Sequence, residues 1–283
     1  MKKQEWLKFV KRLKEEVEKK KPIVSEKEAV PKLKEALEVA LKETLPKEKF
    51  GILFSAGVDS GLIAWYSKIH NYEFCCYTIG TENSKDLLFA KEIAKRYNLP
   101  LKTSIVNEEK LLKCLKSLKR ILEDLDAVKA GVGAATFLTI EMIKKDNLKF
   151  AISGLGSEEI FAGYKRHEIA NNIQEACWHG LETMYERDFL RDFPIAEYFK
   201  IKLLSPFLHE NVIKVAMQIS ANLKIKGNVK KYILRKAALE FSLPEEIAFR
   251  KKIAAQYGSG IDKLLEKLAK KEKLSKAEFL KNI

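Results

Sequence analysis

The stretch 50–61 constrains this chain more than any other. An apolar run, Phe50-Gly51-Ile52-Leu53-Phe54, breaks into Ser55-Ala56-Gly57-Val58-Asp59-Ser60, and Leu62, Ile63, Trp65, Tyr66 and Ile69 follow at helical spacing. The pattern predicts a buried strand, a tight polar turn and a helix, with the turn aimed at the helix N-terminus. At that end the first amides lack partners and the helix dipole is positive. The turn is therefore an anion site, and Gly57 lets the backbone come close. Ser55 and Ser60 add hydroxyl donors. Asp59 would repel a bare phosphate, so its presence predicts a divalent cation bridging the two negative charges.

Further stretches extend this pattern. Phe150-Ala151-Ile152 leads into Ser153-Gly154-Leu155-Gly156-Ser157-Glu158-Glu159, again a strand, a glycine turn and an acidic helix start. Towards the C-terminus come Leu190-Arg191-Asp192, Pro206-Phe207-Leu208, Lys231-Tyr232-Ile233-Leu234-Arg235, Leu243-Pro244-Glu245-Glu246 and Arg250-Lys251-Lys252. The first turn lacks the Gly-Lys-Ser/Thr ending of a Walker A loop and the three glycines of a dinucleotide fingerprint. It resembles the pyrophosphate-binding loop (PP-loop, Ser-Gly-Gly-x-Asp-Ser) of the N-type ATP pyrophosphatases, with Ala56 in place of the middle glycine. The later stretches resemble the Ser-Gly-x-Gly-Ser-Asp-Glu, Pro-Phe-Leu, Lys-Tyr-x-Leu-Arg and Arg-x-Lys segments of the asparagine synthetase and β-lactam synthetase group. Order and spacing agree from about Lys27 to about Gly260, apart from a small insertion before Ser205.

The resemblance implies an adenine nucleotide alpha hydrolase-like α/β fold that binds ATP and Mg²⁺. In such a site Ser55, Gly57, Asp59 and Ser60 hold the phosphates. Thr78, Ile79 and Gly80 resemble the adenine wall, as do Ser153 and Gly154, and Gly156 belongs to the same nucleotide-binding turn. Asp59 and Glu158 occupy the family's Mg²⁺ positions, the second normally an Asp; the longer Glu keeps oxygen ligation. Lys252 matches a late lysine that steadies negative charge and joins Asp59 as a candidate catalytic residue. The implied reaction has two steps: a carboxylate attacks ATP to give an acyl-adenylate and pyrophosphate, and an amine then displaces AMP.

The rest of the pattern agrees with α/β organisation. Strands at 73–79 and 101–106 flank a helix at 86–97, and the alternation predicts a parallel sheet with helices on both faces. Ligands of such sheets bind beyond the carboxyl ends of the strands, where both glycine turns fall. From residue 165 onward the pattern reads as helical, broken at Pro194, Pro206, Gly227 and Pro244. Three parts are expected: N-terminal helices over 1–48, a PP-loop core over 49–164 and a helical part over 165–283 that completes the site. The first helix reads as residues 1–22, with a stripe of Trp6, Phe9, Val10, Leu13 and Val17 that docks on the body. Ser25 and Glu28 read as a capping box for the second, with Leu33, Leu37, Ala40 and Leu41 on its inner face. Ser84 and Asp86 read as a helix cap, and residues 263–283 as a charged tail, either helical or frayed.

Composition narrows the class without deciding function. An apolar share of 46% and a charged share of 33% describe a soluble globular protein. The N-terminus has no signal-peptide core, and no apolar run approaches a membrane span. Cys75, Cys76, Cys114 and Cys177 show no metal or disulfide spacing, which predicts reduced core thiols and a cytoplasmic setting. The net charge is +14, yet only eight of the 53 basic residues are arginines, and much of the lysine alternates with Glu. That reads as solvated helical faces more than as a surface built for phosphate forks or base edges, so tRNA is not the favoured partner.

Departures from the family concentrate on the second half-reaction. Leu155 stands where asparagine synthetases carry Glu and β-lactam synthetases Tyr, and it has no proton to give or take. Lys200-Ile201-Lys202-Leu203-Leu204-Ser205-Pro206-Phe207 replaces Gly-x-Glu-x-Arg-Val-Pro-Phe, so that Lys202 stands in place of the Glu. The segment 127–133 has no arginine. With the PP-loop near residue 50, no glutaminase domain fits before it, and nitrogen is expected from ammonia, a separate amidotransferase or an amine substrate. The favoured function is an ATP-dependent ligase that adenylates a small carboxylate and forms an amide. A PP-loop enzyme adenylating an RNA base and a non-catalytic nucleotide-binding homologue are the alternatives.

Overall fold

A computed structural model describes residues 2–251 and 253–283. Five strands form one sheet: β1 (Phe50–Leu53), β2 (Phe74–Gly80), β3 (Leu101–Ile105), β4 (Phe150–Ile152) and β5 (Lys202–Leu204). Their order is β3-β2-β1-β4-β5, and every neighbouring pair is parallel. From β1 the chain moves outward through β2 to β3, then returns to the other side of β1 as β4. The loops leaving β1 and β4 therefore diverge at a topological switch point, where open α/β sheets open a crevice for ligands. The register is tight there: Gly51 lies opposite both Cys75 and Ala151, and Ile52 opposite both Cys76 and Ile152.

Side chains alternate between the two faces, as a pleated strand requires. Phe74 and Cys76 enter one core with Phe50, Ile52 and Ile152, while Cys75, Tyr77 and Ile79 enter a second with Ala151. Helices α1 (Lys3–Glu18), α2 (Glu26–Thr44), α3 (Val58–Ile69) and α4 (Lys85–Arg96) supply the first core. Helices α5 (Glu108–Ile121) and α6 (Ala127–Lys145) supply the second. The sheet thus has helices on both faces. The amphipathic stripe of α1 is docked, with Trp6, Val10, Leu13 and Val17 buried and the indole N–H of Trp6 donating to the Leu181 carbonyl at 2.7 Å. Ser25 caps α2 by accepting from the Glu28 amide at 3.3 Å, but Glu28 pairs with Lys32 instead of completing the box.

The C-terminal half is not purely helical. β5 is the fifth strand of the sheet, and a small antiparallel ribbon, β6 (Ile225–Lys226) with β7 (Val229–Lys230), turns at Gly227. The terminal stretch is also more than a charged tail. Its helices Ile261–Lys271 and Lys276–Asn282 bury Ile261, Leu265, Leu268, Phe279 and Leu280 in the second core. The cysteines are free and buried.

Candidate active site

The first turn leaves β1 at Leu53 and reaches α3 within a few residues. Ala56 sits at φ 56°, a left-handed conformation that favours glycine, and this explains why the resembling loops carry glycine there. Gly57 is the N-cap and Asp59 lies inside the first turn of α3, so Asp59 is not the cap itself. Ser60 Oγ accepts from the Ser55 amide at 3.2 Å and lies 3.4 Å from Ser55 Oγ, which folds the two hydroxyls towards each other.

The second turn leaves β4 and enters the short helix α7 (Ser157–Ile160) through Gly156 at φ +92°. Ser205 Oγ donates to the Leu155 carbonyl at 2.5 Å, tying this turn to the segment after β5. The two turns touch, because a Cβ on Gly154 would lie only 2.7 Å from Asp59 Cβ. The approach brings two carboxylates to one point. Lys231 Nζ stands 2.9 and 2.8 Å from the Asp59 oxygens, 2.8 Å from Glu158 Oε1 and 2.9 Å from Ser157 Oγ. Its side chain passes where Gly163 has no Cβ, since a Cβ there would collide with Glu158 and with Lys231 Cε. Two acidic groups and a hydroxyl around the Lys231 ammonium are hard oxygen donors, the chemistry that suits Mg²⁺.

Beside the first turn lies a cavity of about 160 Å³, bounded by Phe54, Ser55, Thr78, Ile79, Thr136 and Asp86 among others. Thr78 and Ile79 thus face the space expected for a base, while Gly80, Ser153 and Gly154 do not line it. Gly80 instead backs onto Ser84 and the Ser259 carbonyl. Ser84 is the N-cap of α4, but its hydroxyl makes no cap bond. Asp86 pairs with Arg250 at 2.6 Å, and the same guanidinium donates to the Ser55 carbonyl and lies 4.2 Å from the Phe89 ring centroid. Lys252 lies outside the described residues. Leu155 is half-buried against the first core, and Lys202 is exposed on the edge strand β5, opposite Phe150.

The asparagine synthase family profile matches residues 32–178 and 168–282 of this sequence. The chain belongs to the asparagine synthase family. A Methanocaldococcus jannaschii protein bearing the name of a glutamine-hydrolysing asparagine synthetase is 33% identical over 87% of this chain and 54% of its own length. Glutamine-hydrolysing asparagine synthetase 1 of Lotus japonicus is 30% identical over 78% of this chain and 41% of its own. The chain therefore spans about half the length of the curated relatives it matches. A Francisella tularensis NMN synthetase structure aligns over 89% of this chain and 97% of its own at 16% identity, with a TM-score of 0.36 too low to carry an argument.

Three residues of this asparagine synthase family member escaped assignment from sequence: Ser157, Lys231 and Arg250. All three were visible in motifs, but their roles depend on contacts between distant segments. Arg235 shows how those segments are joined. It donates to the carbonyls of Lys230 at 2.7 Å, Ala248 at 2.6 Å and Arg250 at 3.0 Å, locking the Lys231 helix (Tyr232–Leu239) to the segment that carries Arg250. Burial pushes the Arg235 guanidinium down, and nearby Asp59 and Glu158 push it back up. Behind the second turn, Arg187 bridges Glu159 and Asp188, while Arg191 holds Asp188 at 3.1 Å and Asp192 at 2.8 Å. Burial, aided by Asp188 and opposed by Arg187, raises the Glu159 carboxyl to about 7. Asp192 accepts from Thr136 at 3.2 Å, linking this network to the cavity wall. No helix among the described residues is long and apolar enough to cross a membrane.

Proposed function

We propose that this chain carries out ATP-dependent amide formation, adenylating a small carboxylate and passing the acyl group to nitrogen. The observation that carries the reading is the meeting of two glycine turns at the switch point, with Asp59 and Glu158 each 2.8 Å from one positive centre. ATP would place its phosphates over the first turn, against the α3 amides and the hydroxyls of Ser55 and Ser60. Its base would enter the cavity bounded by Thr78 and Ile79. Asp59 and Glu158 would hold Mg²⁺, which when bound neutralises phosphate charge. A carboxylate oxygen then attacks the α-phosphorus, the bond from that phosphorus to the bridging oxygen breaks, and pyrophosphate leaves. The turn amides hold the leaving charge, a form of electrostatic stabilisation that usually dominates such steps. Lys252, on the family resemblance, steadies the same charge.

In the second step nitrogen attacks the acyl carbon and AMP departs. Leu155 offers no proton acceptor, so the proton lost by nitrogen goes to water. This favours free ammonia, or ammonia delivered by a separate amidotransferase, and makes aspartate the first carboxylate to examine. The test is carboxylate-dependent exchange of labelled pyrophosphate into ATP. Exchange is expected to require one carboxylate, and Asp59→Ala is expected to slow it by about 10²–10³-fold. ATP binding without exchange under any amino acid or metabolite carboxylate would overturn the proposal.

A further inference from the structure

The Asp59–Ser157–Glu158 cage already holds a cation, and that cation is part of the chain. Lys231 Nζ has four oxygens at 2.8–2.9 Å, two carboxylates and a hydroxyl, the type of donor that a hard divalent ion also takes from protein. Lys231 is 1% exposed, so its ammonium sits inside the cage and is not a surface charge leaning over it. Two cations cannot share one such set of oxygens, because like charges a few ångströms apart in a buried site repel strongly.

We propose that Lys231 is a tethered resident cation. It fills the cage while no nucleotide is bound, and a divalent ion enters only by displacing it. A displaced, desolvated ammonium needs an anionic partner, and incoming phosphates beside the first turn supply one. Metal and nucleotide binding are therefore coupled through this side chain, and the free chain has little affinity for the metal alone. The nucleotide half of this inference rests on the proposed function; the metal half does not.

The experiment titrates Mn²⁺ alone into the full chain, with free Mn²⁺ read by electron paramagnetic resonance. Wild-type protein is expected to bind weakly without nucleotide, and Lys231→Met to bind about 5- to 150-fold tighter, the usual span of a coupling free energy. Adding Asp59→Asn and Glu158→Gln to Lys231→Met should abolish the gain. A non-hydrolysable ATP analogue should raise Mn²⁺ affinity in the wild type, and by a smaller factor in Lys231→Met. A folded Lys231→Met chain no better at binding Mn²⁺ than wild type overturns the proposal. If neither that variant nor Lys231→Gln folds, the wild-type titration decides, since micromolar Mn²⁺ binding without nucleotide also overturns it. If the chain binds no ATP analogue, the function reading fails while the Mn²⁺ gain of Lys231→Met still stands.

Discussion

Two lysines near each other in sequence, Lys224 and Lys231, are both almost wholly buried, at 0% and 1% exposure, and live in opposite surroundings. Lys231 stands among two carboxylates and a hydroxyl at the meeting of both glycine turns. Lys224 has Met217 Sδ at 3.6 Å as its hydrogen-bond partner, and burial pushes its amine below the usual lysine range. Nearby His167 is also fully buried, its Nε2 without a hydrogen-bond partner. The comparison shows that burial of a lysine is not by itself a sign of function. What marks a site is a buried charge whose opposite charges were brought from distant segments and held there.

The most severe way to break the comparison is to strip the partners from Lys231. Asp59→Asn with Glu158→Gln should destabilise the free protein by about 3–5 kcal/mol, read by urea unfolding, because it leaves a buried ammonium uncompensated. Adding Lys231→Met should restore most of the loss. If the double variant is as stable as wild type, the ammonium was never held as the geometry indicates.

His167 gives the next effect. Burial, with Arg166 and Lys224 adding and Glu158 opposing, lowers its imidazole to about 4. The folded state then binds fewer protons than the unfolded one between that value and the ordinary 6.5. Stability is lost as pH falls from about 6.5 to about 4, by roughly 3 kcal/mol in all at 1.36 kcal/mol per unit. His167→Asn should flatten that part of a stability–pH curve, whatever other groups contribute to it.

For Lys224 the sign is the same and the variant should help. With the amine lowered in the folded state, stability rises with pH towards the unfolded lysine value. Lys224→Met replaces an amine that burial disfavours by a side chain of similar length, so it should stabilise the protein by about 1–3 kcal/mol at neutral pH and remove this slope. A loss of stability would show that the amine has a partner worth more than its desolvation. At the bottom of the scale, breaking the exposed Lys11–Glu15 pair, 4.0 Å apart, should change stability by less than about 0.5 kcal/mol. Thermal melts of Lys11→Ala would check it.

Some of this was legible in the chain and some was not. The strands β1, β2 and β4 announce themselves as apolar runs that end in polar or glycine turns, and both turns were visible as candidate phosphate and metal sites. β5 was hidden because three residues of an edge strand, begun by an exposed lysine, carry no periodicity to read. The C-terminal stretch read as a charged tail, helical or frayed, because its apolar residues are outnumbered by lysine and glutamate; the 3–4 residue spacing of Ile261, Leu265 and Leu268 was the signal that it docks as helix.

Sequence alone determined the local chemistry: where a helix N-terminus would present free amides, where acids and hydroxyls would sit beside it, and which family's motifs these are. Those features depend on neighbours a few residues apart. Only the tertiary structure decided that Lys231, 172 residues from Asp59 along the chain, would fill the space between the two turns. Only it decided that Arg250 would grip the PP-loop and that Lys224 would be buried without a carboxylate beside it. Such facts arise because packing, not sequence distance, sets which charges share one desolvated volume.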